Sequence, residues 1–228
     1  MTTPMTRHIP GETGMVVLHD IGDAAGRRTW TAALEGAGWP GDVVVAALPG
    51  HGDAPAPVGG DYELPDAAVA GLRAVTSVAG DGRPALVGVG ANGWAAQLLA
   101  LAGRISALVL VDGLGGPWAE PTDAIDRSRR WLRAVADDPD AVAPAPETGM
   151  DPRLRHGLVP HGSRGLAHKA AIAMPVPVLL IETPLSPIPA DEADDLAGRF
   201  RCGATLVRMT TTDLDTVAGA IVGWAGSN

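Results

Sequence analysis

Six short apolar runs recur along the chain: MVVLH (15–19), VVVAAL (43–48), RPALVGV (83–89), SALVLV (106–111), VPVLLIE (176–182) and ATLVRM (204–209). Each is apolar at successive positions rather than at alternate ones and is rich in β-branched residues. That pattern predicts strands buried on both faces. Between them, residues 28–37, 61–79, 94–102 and 214–224 read as helices. Wholly apolar strands separated by helices predict a mostly parallel sheet with helices on both faces, an α/β fold.

The interval 118–173 breaks this rhythm. It holds a charged helical stretch (123–137), a proline-rich stretch (138–147) and a segment bearing histidine and glycine. An insertion of that size between strands is expected to cap the carboxyl edge of the sheet, where ligands bind. The expected organisation is therefore a core of residues 1–117 and 174–228 with a cap of 118–173. Residues 84–103 are uncharged for the length of a membrane span, but Asn92, Gln97 and the interior glycines 88, 90 and 93 interrupt them. A strand, a glycine-rich turn and a helix explain them better than a membrane segment.

Composition narrows the function classes. The 228 residues carry a net charge of −9, and Lys169 is the only lysine beside the arginines. No basic stripe is available to neutralise phosphates, so neither nucleic acid nor a membrane is an expected partner. With a single cysteine, Cys202, there is no internal disulfide, and that residue is expected to be small and buried. The first fourteen residues have no apolar run, and a cytoplasmic location is expected. His156, His161 and His168 lack metal-ligand spacing; neither metal nor cofactor is expected.

Four stretches carry a family resemblance that spans 15–224: VVLHDIGD (16–23), LPGHGDA (48–54), LVGVGANGW (86–94) and VLLIETPLSPIPADEADDLAGRF (178–200). In this order they resemble, respectively, the oxyanion loop, the Pro-Gly-His-Gly turn, the nucleophile elbow and the acid loop of the α/β-hydrolase family. The family's elbow reads G-x-S-x-G. Here it reads Gly88-Val89-Gly90-Ala91-Asn92, so Gly90 stands at the nucleophile position. The acid position aligns with Ser186, and the segment expected to supply the base reads Thr210-Thr211-Thr212-Asp213. All three triad roles are empty, and an acyl-enzyme needs a nucleophile activated by a base.

What the resemblance leaves is an oxyanion hole made by the backbone N–H groups of Ile21 and Ala91. Asp20 stands where the family has glycine, and a carboxylate there opposes negative charge unless it turns away or pairs with arginine. His19 and His51 are expected to brace loops, and Asp213 to cap the last helix. Trp94 is expected to pack its helix on the sheet, while Trp118 and Trp131 flank the cap and are candidates to line a pocket. His19, Asp20, Gly90, Trp94, Trp118, Trp131, Ser186 and Asp213 make up the candidate ligand-binding set.

Among members of the fold without a triad, the chain resembles peptide epimerases of the bottromycin-biosynthesis type. The resemblance implies cofactor-free inversion of an aspartate centre in a modified peptide. Ile21 and Ala91 would hold the carbonyl oxygen while a base removes the Cα proton. No titratable residue is clearly aimed at the elbow, so the substrate's own carboxylate is the expected base. Two alternatives stay open. One is a carrier for a small hydrophobic molecule or peptide; the other is a residual hydrolase that positions water through Asp213 or His19.

Overall fold

A computed structural model describes residues 14–21, 23, 25–57, 62–78, 82–113, 149–151, 154, 164–186 and 188–227. In chain order these form β1 (Met15–Leu18), α1 (Gly26–Gly36), β2 (Val43–Val45), α2 (Leu64–Val78), β3 (Ala85–Val89), a 3₁₀ turn (Gly90–Asn92) and α3 (Gly93–Leu101). There follow β4 (Ala107–Val111), α4 (Arg164–Ala173), β5 (Val178–Glu182), α5 (Ala190–Ala197), β6 (Ala204–Arg208) and α6 (Leu214–Ser227). All six strands are parallel, in the order β2-β1-β3-β4-β5-β6.

Period-two alternation divides the strand side chains between two cores. Val16, Leu18, Leu86, Leu108, Leu110 and Leu180 face the layer that contains Trp94 and Leu99 of α3, Ala170 of α4 and Leu196 of α5. Met15, Val17, Val87, Val109 and Ile181 face Trp30 and Leu34 of α1 and Val217 and Ile221 of α6. Both faces of β1, β3, β4 and β5 are dry, which is why those strands show no polar alternation; the edge strand β6, expected to be buried on both faces, instead exposes Thr205 and Arg208 because no further strand covers its outer side. Burying each large aliphatic side chain contributes about 1.5–3 kcal/mol.

The elements match the apolar runs, with shorter strands. β1 stops at Leu18 because His19 and Asp20 leave the ladder to bond loop atoms. β2 follows β1 no further than Ala46, whose N–H reaches Val17 O at 2.9 Å; beyond it the chain turns, and His51 bridges antiparallel to Met150. Within the interval expected as cap, α4 forms instead a helix of the core layer, with Ala170 and Ala171 buried in it. Trp118, Trp131, His156, His161 and the charged stretch 123–137 lie outside the described residues. Cys202 is exposed, not buried as expected, because the turn before β6 carries it out to solvent. Among the described residues no helix is long and apolar enough to cross a membrane.

The sheet order reverses between β1 and β3. β1 leads out to β2 on one side, and the chain returns to place β3 on the other. Such a switch point opens a crevice at the carboxyl ends of the two strands. Register pairs Leu18 with Gly88, so two residues further on Asp20 and Gly90 come to the same level.

Candidate active site at the strand switch point

The elbow is a backbone feature first. Gly90 has φ +54°, the left-handed region that glycine enters without strain. A Cβ built on Gly93 would press on Gly113 O, and one built on Gly113 would press on Gly90 O. The turn after β3 is therefore packed backbone to backbone against the end of β4, and only glycines permit that approach. The 3₁₀ turn Gly90–Asn92 then feeds α3.

Asp20 fills the space such an elbow gives to its nucleophile. Its Oδ1 accepts the N–H of Ile21 at 2.8 Å and the N–H of Ala91 at 3.3 Å. These are the two donors expected to receive a substrate oxygen. They converge on one atom, but that atom belongs to the protein. A Cβ on Gly90 would collide with the Asp20 carboxyl and stand 2.6 Å from Oδ2. The space that a side chain on Gly90 would take is thus filled by a carboxylate from the facing loop. Nor is the elbow without an aimed titratable group, as expected, because Asp20 is that group.

Asp20 does not turn away, and among the described residues no arginine pairs with it. Burial pushes its carboxyl above the usual carboxylate range; the two N–H bonds pull it back, and the charges of Asp23 and Asp112 push it up again. Arg27, in the first turn of α1, forms an exposed pair with Asp53 at 2.9 Å. Asp112, at φ +51° beyond β4, accepts both the N–H and the hydroxyl of Thr183 at 2.6 Å. Sequence reasoning passed over Asp112. Its signal was an acid immediately after a buried strand at the carboxyl edge.

Below the elbow lie two buried imidazoles. Nδ1–H of His19 donates to Asp20 O at 3.0 Å, and Nδ1–H of His51 donates to Pro49 O at 3.0 Å. Both acceptors are carbonyls, so each Nδ1 carries the proton. The rings meet edge to face with centroids 5.0 Å apart. Burial, and secondarily the His51 ring, lowers His19 to about 4; burial also lowers His51. Asn92 Nδ2 ties the far side of the loop by donating to His19 O at 2.6 Å. Each imidazole thus bonds a carbonyl of its own loop.

The remaining candidates separate. Trp94 is buried in the core beneath the elbow. Ser186 closes a turn, its N–H donating to Thr183 O at 3.0 Å and its hydroxyl accepting from Ile188 N–H at 3.4 Å. Asp213 caps α6 through Thr216, whose N–H and hydroxyl lower its pKa. It lines a groove of about 690 Å³ between α1 and α6, and no residue of the elbow or the β1 loop lines that groove. Among the described residues no cluster of three or more His, Cys, Asp or Glu is placed to hold a metal ion.

No protein-family profile and no curated protein sequence matches this chain. Solved structures do. A thioesterase domain from the curacin biosynthetic pathway superposes with a TM-score of 0.70 at 15% identity, covering 97% of this chain and 93% of that one. The hypothetical protein PA1622 of Pseudomonas aeruginosa PAO1 gives 0.66 at 18% identity, over 96% and 92% of the two chains. A monoacylglycerol lipase of Paleococcus ferrophilus gives 0.63 at 19%, over 95% and 96%. At such identities the likeness is one of fold.

Proposed function

We propose that this chain, an α/β-hydrolase fold with no nucleophile on its elbow, is a non-hydrolytic enzyme that moves a proton at carbon beside a carbonyl. More narrowly, we read it as a cofactor-independent epimerase acting at Cα of an aspartate in a modified peptide during natural-product biosynthesis. One observation carries the reading: Gly90 stands at the nucleophile position, and a half-buried carboxylate with a raised pKa occupies the volume beside it. Acyl transfer needs a nucleophile and a base that activates it. Proton abstraction from carbon needs only a positioned base, best with a pKa moved toward neutrality, and a polar surround for the charge that develops. The resemblance to the peptide epimerase of bottromycin biosynthesis, resting on the short chain, emptied triad and retained elbow, supplies the substrate class.

A second reading, a carrier that binds a peptide or small hydrophobic molecule, is favoured by the same Asp20 carboxylate, because it occupies both backbone donors. Heavy water separates the two. Short aspartyl peptides with a thiocarbonyl at the aspartate, which acidifies Cα–H, are incubated with the protein and followed by mass spectrometry and chiral chromatography. An epimerase installs one deuterium at Cα of the inverted product. Tight binding with no deuterium supports the carrier, and turnover of simple aryl esters above buffer supports a residual hydrolase.

A further inference from the structure

The geometry points to Asp20 as the catalytic base, anchored through Oδ1 on the Ile21 and Ala91 N–H groups and taking the substrate's Cα proton on Oδ2. This rests on the proton-transfer reading above and assigns its base to the protein rather than to the substrate.

Three observations support the assignment. First, position: both carboxylate oxygens flank the point where a side chain on Gly90 would begin, with Oδ2 2.6 Å from it. That is the place from which this elbow addresses anything seated in the crevice. Second, orientation: two backbone N–H groups, from the β1 loop and from the elbow, hold Oδ1 and thereby fix the plane of the carboxyl. Among the described residues Oδ2 has no hydrogen-bond partner, so it is the oxygen left to accept a proton. Third, charge: Asp23 and Asp112 stand close enough to act on Asp20, and no lysine or arginine pairs with it among the described residues. A substrate carboxylate drawn up to that same point to act as its own base meets repulsion there, whereas one turned away from Oδ2 does not.

The step balances as follows. The Cα–H bond breaks, its proton goes to Oδ2, and its electron pair moves into the enolate (or enethiolate) of the neighbouring carbonyl. As Oδ2 takes the proton, the carboxyl loses its charge and becomes a weaker acceptor, so the net charge at the elbow does not rise while the enolate forms. A water on the opposite face protonates Cα; Asp20 gives its proton to solvent, where it neutralises the hydroxide left behind. The carboxylate is regenerated, the centre is inverted, and in heavy water the inverted product carries one deuterium.

The test has two arms, read as Cα deuteration of aspartyl thioamide peptides. In the first, Asp20→Asn keeps volume and an acceptor for the two N–H groups but cannot take a proton. Exchange is expected to fall at least about 100-fold, the low end of what a positioned base contributes, while the peptide's dissociation constant moves less than about three-fold. In the second, wild-type protein meets the matching peptide with asparagine in place of aspartate. Exchange is expected to persist within about ten-fold of the aspartyl peptide. This arm needs no variant to fold. Full exchange by Asp20→Asn, or loss of exchange in the asparaginyl peptide with binding retained, overturns the assignment and returns the base to the substrate. Wild-type protein that binds but exchanges no peptide overturns the proton-transfer reading itself, and Asp20's role with it.

Discussion

At Gly90 the backbone turns through φ +54°, and the Cβ that any other residue adds there lands in the Asp20 carboxyl. The two positions share one volume, so their substitutions should not add. Gly90→Ala is expected to destabilise the fold by about 1–3 kcal/mol, the usual range for overpacking, with the positive φ contributing. In an Asp20→Gly background the collision is gone, and at least about 1 kcal/mol of that cost should disappear. Denaturant midpoints of the four proteins check this; additivity within 0.3 kcal/mol or so would mean that the carboxyl does not sit against the elbow. His19 gives a second expectation. Its folded pKa of about 4 lies below the ordinary imidazole value of 6.5, so burial favours the neutral ring. The stability it contributes is fully present above 6.5 and is lost as pH falls through 4, to the extent of about 3 kcal/mol. His51 acts in the same direction. Asp20, with its pKa raised, acts oppositely: its contribution is greatest below the unfolded carboxylate value and is lost as pH rises through the folded one. Unfolding curves of wild type and His19→Gln between pH 4 and 7 should therefore converge toward the acid end. Parallel curves would place His19 in a more solvated setting.

Helix ends decide what several candidates do. α6 begins just after Asp213, whose Oδ2 takes the Thr216 N–H at 3.0 Å and its hydroxyl at 2.6 Å. Those bonds satisfy donors the first turn leaves open, which gives this carboxylate a structural task away from the elbow. Asp213→Ala should lower the melting temperature and change Cα exchange by less than about two-fold. Exchange abolished with binding intact would put Asp213 back among the catalytic groups. α3 shows the complementary case. It begins at Gly93, directly after the 3₁₀ turn, and carries at its entrance a backbone N–H, that of Ala91, which is bonded to Asp20 across the sheet. The element supplies the donor; the neighbouring loop supplies what it binds.

For the molecule as a whole, the order β2-β1-β3-β4-β5-β6 sets the crevice at the reversal between β1 and β3. Everything placed there comes from segments far apart in sequence: Asp20 after β1, Gly90 after β3, Asp112 after β4. None of these is a serine, and the position after β6 holds no histidine. A serine-directed fluorophosphonate should leave the protein unlabelled by intact mass, with no burst on activated esters. A stoichiometric adduct on any serine would show that a nucleophile is active outside the elbow.

The apolar runs were enough to announce six parallel strands; in β1, β3, β4 and β5 burial on both faces leaves no room for polar alternation, whereas the edge strand β6 keeps Thr205 and Arg208 exposed. The glycines of Gly88-Val89-Gly90-Ala91-Asn92 likewise announced a tight turn without a nucleophile, since the missing side chain is a property of one residue. α4 was obscured by the glycine- and histidine-bearing stretch that precedes it, and it became a core helix only through packing on α3. What no local pattern contained was the meeting of Asp20 with Ala91, 71 residues later in the chain. Asp20 could be named from its place in the β1 loop, but its direction could not. Whether it faced solvent, an arginine or the elbow depended on the register of β1 against β3, the volume freed at Gly90 and two N–H donors from separate loops. Sequence determined that residue 90 carries no side chain; tertiary structure decided that a carboxylate took that space.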